Sequence, residues 1–201
     1  MDFVHDQLAT GRKLRVLTVI DTYTRYAPAI VPRFSFKASD VIAVLDEVCS
    51  ELGYPATIRV DQGSEFVSRE LDLWAYLHDV ELDFSRPGKP TDNAFIESLN
   101  GKFRAECLNA HWFISLEDAR AKMEDWRRDY NEQRPHSAIG NRRPVELLDR
   151  SVVAQPPWPE DCLRRPAEWS KMGSSSRQPR TLFLSGGKLG LRSSGSVSDP
   201  T

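Results

Sequence analysis

The order of apolar patterns along the chain predicts an α/β fold, a mixed five-stranded sheet flanked by helices. Two observations carry this. In the first half, short β-branched runs alternate with capped segments whose apolar residues recur at 3,4 spacing. After the breakers Pro87, Gly88 and Pro90, the pattern turns helical and stays so to Pro144.

Taken in order, residues 3–5 read as a first strand. Residues 14–22 form a β-branched run suited to a strand buried on both faces. Residues 26–31 give a third strand, reached through a tight turn at 21–25. Ser39 is placed to cap a helix with Val41, Ile42, Leu45, Val48 and Leu52 on one side, stopped by Gly53 and Pro55. A short strand over 57–60 ends at Asp61. Ser68 caps a helix through Leu71, Trp74, Ala75 and His78, and residues 81–84 make a fifth strand. One helix is expected over about 92–108. Another begins at the capping box Ser115-Leu116-Glu117-Asp118 and carries Leu116, Ala119, Met123, Trp126 and Tyr130 on its apolar stripe.

The chain has 201 residues, 40% hydrophobic and 28% charged, with a formal net charge of −2. That is room for one domain and a tail. Residues 1–150 hold 20 Lys and Arg against 25 Asp and Glu, net −5; residues 151–201 hold 7 against 4, net +3. Pro156, Pro157 and Pro159 open a stretch that becomes rich in Ser and Gly from Gly173. The expected organisation is a domain over 1–150 and a mostly disordered tail over 151–201, with a short strand at 181–184 as the rival reading. No apolar run approaches the roughly 20 residues of a membrane span, and the opening residues do not resemble a signal peptide. Cys49, Cys107 and Cys162 lack metal or disulfide spacing, so a reducing cytoplasm is the default. The near-neutral balance excludes a surface that is basic throughout, but not a local basic strip.

Three acidic residues fall where chemistry is expected. Asp2 lies in the first strand, Asp61 follows the 57–60 strand and precedes the turn Gln62-Gly63, and Glu97 lies early in the helix after Pro90. On a wheel of that helix, Phe95, Ile96, Leu99, Phe103 and Cys107 form the core side. Asn93, Asn100 and Arg104 fall within about 60° of Glu97 on the other. Carboxylates on converging elements suit two Mg²⁺ or Mn²⁺ ions about 4 Å apart in phosphodiester cleavage. Spacing alone favours the plainer reading of ordinary solvated charges, because acids are common at loop starts.

Larger motifs add to this. Residues 1–6 (MDFVHD), 17–25 (LTVIDTYTR), 60–66 (VDQGSEF), 87–90 (PGKP) and 93–101 (NAFIESLNG) resemble, in order and spacing, the catalytic core of insertion-sequence transposases related to retroviral integrases. Residues 126–131 (WRRDYN) and 134–136 (RPH) fit the closing helix of that family. Asp61 and Glu97 are separated by 35 residues, the spacing of the D,D-35-E enzymes. The resemblance covers about 1–148. It implies a ribonuclease-H-like fold with Asp2, Asp61 and Glu97 as the metal-binding catalytic triad. Asp2 and Asp61 would share one ion, and Asp2 and Glu97 the other. The implied activity is metal-dependent DNA strand cleavage and strand transfer in transposition. The implied partners are DNA, as element ends and target, and further copies of the chain in a bacterial cytoplasm near the nucleoid, with no membrane and no small-molecule substrate.

Under this resemblance Arg104, seven residues after Glu97, and Lys102 read as phosphate contacts, Lys102 less so because it lies about 140° around the helix. Asn93 and Asn100 are placed to bond DNA or order water, and Lys89 to contact its backbone. Asp6 shares a strand face with Asp2 and is the rival first ligand. Asp21 reads as a turn residue, and Glu65 as either a loop-shaping or a solvated side chain. His5, His78, His111 and His136 have no metal spacing, and Trp126 and Tyr130 read as core. Gln62 stands where the family usually has Asn. Met1 directly before Asp2 reads as an N-terminally truncated copy without an end-recognition region. Two rival functions remain: a non-catalytic remnant binding DNA or a longer transposase, and a stand-alone nuclease of the same fold.

Overall fold

The computed structural model describes residues 1–85 and 94–148. Lys89, Asn93 and the 151–201 tail expected to be disordered lie outside the described residues. Five strands form, as expected, hydrogen-bonded as a three-stranded and a two-stranded sheet rather than as one continuous five-stranded ladder. Strand β1 (Asp2–Gln7) pairs antiparallel with β2 (Lys13–Val19), which pairs antiparallel with β3 (Ala29–Arg33). Strand β4 (Thr57–Val60) pairs parallel with β5 (Glu81–Phe84). The Met1 nitrogen donates to the Arg59 carbonyl at 2.7 Å and so links the start of β1 to β4.

Helices cover both sides because β2 is apolar on both. Leu14 and Val16 face one core, with Val4, Leu99, Phe103, Met123 and Trp126; Leu17 faces a second, with Val41, Leu45, Val60, Phe66 and Leu71. Helices α1 (Ala38–Leu52) and α2 (Arg69–Leu77) close the second core. The first is closed by α3 (Ala94–Phe103) and α4 (Leu116–Glu132). Four α4 stripe residues, Ala119, Met123, Trp126 and Tyr130, are buried as the periodicity requires. Asn131 locks α4 to the connection before β3: its side chain accepts from the Ala27 nitrogen at 2.8 Å and donates to the Ala27 oxygen at 2.9 Å.

Several boundaries differ from the sequence reading, each for a local reason. Strand β2 stops at Val19 because Asp21 organises a turn. Its carboxylate accepts from the Tyr23 nitrogen at 3.0 Å and the Thr24 hydroxyl at 2.5 Å, while its own nitrogen donates to the Tyr26 oxygen at 2.8 Å. That turn delays β3 to Ala29. The first helical cap is Lys37 rather than Ser39, because the Asp40 carboxylate accepts from the Lys37 nitrogen at 2.8 Å. Ser68 and Ser115 cap as expected, at 3.1 Å from the nitrogens of Leu71 and Asp118. The helix expected to run unbroken to Leu108 changes after Phe103 into a π-helical turn, Arg104–Leu108. The wider turn, closed by the Asn109 nitrogen on the Arg104 oxygen at 2.9 Å, lets the consecutive Cys107 and Leu108 both enter the core.

Candidate catalytic carboxylate site

The first strand residue, Asp2, lies opposite Thr18 of β2. One carboxylate oxygen accepts from the Phe3 nitrogen at 2.7 Å; the other accepts from Asn100 Nδ2 of α3 at 2.8 Å. Asn100 is itself fixed, since the Thr18 hydroxyl donates to its Oδ1 at 2.9 Å. A buried hydroxyl on β2, an amide on α3 and a carboxylate on β1 thus form one chain of hydrogen bonds. Burial pushes the Asp2 carboxyl above its ordinary range, and the nearby negative charge of Asp61 pushes the same way.

Asp61 directly follows β4. Its Oδ1 accepts from the Gly63 nitrogen at 2.9 Å, which folds the chain tightly behind the carboxylate. A Cβ at residue 63 would stand 3.0 Å from that oxygen and 3.4 Å from Glu65 Oε2, so a side chain there would push these carboxylates by a few tenths of an ångström. The loop then closes on itself: the nitrogens of Phe66 and Val67 both reach the Gly63 oxygen at 2.9 Å. Phe66 is fully buried and stacks on Phe3, beside Asp2, with ring centroids 5.1 Å apart. Arg15 of β2 pairs with Glu65 and lies over the Phe3 ring at 4.2 Å. That pairing holds the Glu65 carboxyl below its usual range and makes Glu65 a loop-shaping residue.

Asp2 therefore lies within electrostatic reach of Asp61. Glu97 is not joined to them: it is exposed in the first turn of α3, one turn before Asn100 on the same helix edge. Among the described residues, no three His, Cys, Asp or Glu side chains are gathered closely enough to hold a metal ion. Asp6, further along β1, engages its carboxylate with the Gln7 nitrogen at 2.8 Å, and its charge is felt at Cys107. The amide of Asn100, expected to face DNA, is instead engaged with Asp2 and Thr18. Arg104 is exposed, without an ion-pair partner among the described residues. Lys102 is turned toward α4, its Nζ 6.0 Å from the Tyr130 ring centre. Sequence reasoning missed Thr18, Arg15 and Phe66. A charge at 15 inside an otherwise apolar strand was the available signal for Arg15; Thr18 and Phe66 carried none.

Comparison with known proteins matches this geometry to a family. Two models described as "Integrase core domain" match residues 1–90 and 78–144. An insertion element IS407 protein of Burkholderia multivorans, described as an uncharacterized 31.7 kDa protein, is 51% identical over 147 residues, which is 73% of this chain and 53% of that one. Transposase InsF for insertion sequence IS3A of Escherichia coli is 28% identical over 97 residues, 48% of this chain and 34% of that one. The chain spans about half the length of the curated relatives it matches. The catalytic core domain of HTLV-2 integrase, solved in complex with magnesium, superposes with a TM-score of 0.54 at 15% identity, covering 73% of this chain and 93% of that one. The fold is thus that of the ribonuclease-H-like integrase cores, and the chain, similar over its matched length to insertion-sequence transposases, belongs to the integrase core domain family, whose two models together span residues 1–144.

Proposed function

We propose that this chain is the catalytic core of a transposase that cleaves DNA strands at element ends and joins them to a target, with Asp2, Asp61 and Glu97 as its catalytic carboxylates. One observation carries the reading. The Asp2 carboxylate of β1 feels the negative charge of Asp61 just after β4, and the helix bearing Glu97 sends Asn100 to hydrogen-bond Asp2. The donor set fits Mg²⁺ or Mn²⁺, hard cations that take carboxylate oxygens. The mutual repulsion felt at Asp2 is the kind a divalent cation relieves. Asp2 and Asp61 would hold one ion, with Glu97 completing a second site.

Bound there, such ions supply Lewis-acid stabilisation of an in-line phosphodiester displacement. The protein's own part is positional. Gly63 and the Phe66–Phe3 stack fix the Asp61 carboxylate against β1. Asn100 and Thr18 fix Asp2 and tie α3 to the sheet. Arg104, exposed in the turn after α3 and without an ion-pair partner among the described residues, would contact a DNA phosphate, and Lys89 and Asn93 would do so from the segment before α3. Assembly of several copies on DNA and a place in the bacterial cytoplasm belong to the same proposal.

The test is calorimetry with Mn²⁺ on the chain and on Asp61→Asn, followed by strand cleavage with Glu97→Gln. Binding that Asp61→Asn removes, with cleavage that Glu97→Gln abolishes in a folded protein, is the expected result. Equal cleavage by Glu97→Gln and its parent would sink the site assignment. A second reading, a DNA-binding chain without catalysis, draws on the separation of Glu97 from the other two acids. It predicts no carboxylate-dependent Mn²⁺ binding with DNA present.

A further inference from the structure

On the seam between α3 and α4, side-chain donors without acceptors among the described residues lie in the neighbourhood of one buried ring. Tyr130 is 3% exposed, packed between Trp126 (centroids 5.1 Å apart) and His136 (4.4 Å). Its hydroxyl makes no hydrogen bond to the described residues. Lys102, on α3, holds its Nζ 6.0 Å from the centre of the same ring, and it too has no ion-pair partner among the described residues. Arg25 comes from the turn after β2, where its backbone adopts a φ of 63°, unusual for a residue other than glycine. Its guanidinium lies 3.8 Å over Phe95 of α3, and its Nη1 is buried with no hydrogen-bond partner. Arg134 borders the group, but its charge is already taken up by Glu106 and Asp129.

Of these donors the Arg25 Nη1 is the one buried without a partner, which is costly unless something accepts from it, while Lys102 is exposed and open to a ligand. An unpaired buried guanidinium nitrogen, an ammonium and a phenolic hydroxyl match the oxygens of a tetrahedral dianion or a phosphodiester. Burial pushes the Tyr130 hydroxyl up to about 12, so it remains a donor at neutral pH. The local surplus of cations also runs against the background, since residues 1–150 carry a net charge of −5, from 20 basic and 25 acidic residues. His136 feels the positive charges of Lys102, Arg134 and Arg25 together, consistent with their sharing one small region.

We infer that Arg25, Lys102 and the Tyr130 hydroxyl form a phosphate-binding cradle on the α3–α4 seam, separate from the carboxylates. Its natural ligand is a phosphate of the DNA backbone, and that half of the inference rests on the DNA-processing reading above. Held there, a phosphate would set the register of a strand on α3, the helix that also carries Glu97.

The experiment has two arms, so that the two readings fail separately. In the first, inorganic phosphate is titrated into the whole chain while the His136 ring protons are followed by NMR. A saturable shift is expected, with affinity falling about tenfold in Tyr130→Phe and in Lys102→Gln. In the second, a short labelled duplex is bound at several salt concentrations. Lys102→Gln should flatten the log–log salt dependence by about 0.9, one phosphate contact, whereas Tyr130→Phe should weaken binding with the slope unchanged. Tyr130→Phe keeps the buried ring, and near-ultraviolet circular dichroism checks that the core survives. Phosphate binding without any DNA binding supports the cradle as a site for free phosphate and overturns the DNA half. DNA binding with affinity and slope unaltered in both variants overturns the cradle and leaves the transposase reading standing. No His136 response to phosphate in the parent, with no effect of either variant on DNA, overturns it as well.

Discussion

Asn100 donates from Nδ2 to Asp2 Oδ2 at 2.8 Å, across 98 residues of sequence, and this bond joins the helix of Glu97 to the strand of Asp2. The same amide accepts from the buried Thr18 hydroxyl at 2.9 Å, so its orientation is set on both ends. A carboxylate taken partly out of water beside a second carboxylate needs such donors to remain useful as a ligand. The relationship makes Asn100 a positioning residue for Asp2.

Asn100→Ala removes the donor to Asp2 and the acceptor for Thr18 together. It should destabilise the fold by about 1–3 kcal/mol, read as a lower urea midpoint. Mn²⁺ affinity should fall with it. An unchanged midpoint and unchanged Mn²⁺ binding would show that the bond does not organise the site.

Gly63→Ala tests the turn behind Asp61. A methyl group 3.0 Å from the Asp61 oxygen forces that carboxylate or its loop to shift. The expected result is weaker Mn²⁺ binding with the urea midpoint changed by less than about 1.5 kcal/mol, because the loop lies at the surface.

Arg15 and Glu65 give a pH dependence with a definite sign. The pairing holds the Glu65 carboxyl below its ordinary value of 4.5. A carboxyl depressed in the folded state contributes stability that is present above its unfolded pKa and lost as pH falls through the folded one. Arg15→Met should therefore be about 1 kcal/mol less stable than the parent at neutral pH. The difference should narrow as the pH is lowered below about 4.5. Urea titrations of both proteins over that range check it, and a constant gap would place the effect in packing on Phe3 instead.

Phe66→Ala opens a void where a fully buried ring stacks on Phe3. A loss of about 3 kcal/mol is expected on denaturation. Ser115→Ala, at the cap of α4 and remote from Asp2, should cost about 1 kcal/mol and leave Mn²⁺ binding unaltered.

Much of the architecture was legible because it follows from periodicity. Strands β4 and β5 and the caps at Ser68 and Ser115 fall where the apolar spacing and capping residues put them. The misread boundaries share a cause, which is a side chain bonding locally to backbone. Asp21 folds the chain before β3, and Asp40 moves the start of α1 back to Lys37. The π-helical turn after Phe103 had no signature, since two adjacent buried residues at 107 and 108 are compatible with an ordinary helix end. For the site, the acidic residues and the side of α3 that bears Glu97 and Asn100 could be read from motifs and the helical wheel. What Asn100 does there could not, because its partners Asp2 and Thr18 come from two other elements.

By itself the sequence determined the element order, the two apolar faces of β2 and the family motifs around Asp2, Asp61 and Glu97. These depend on residue type and on short-range spacing, which a chain carries before it folds. Tertiary structure alone decided that Asp2 feels the charge of Asp61, that Asn100 and Thr18 hold Asp2, and that Tyr130, Lys102 and Arg25 leave donors unpaired among the described residues. Pairing across tens of residues is set by how strands and helices pack against a shared core, and no local pattern encodes that distance.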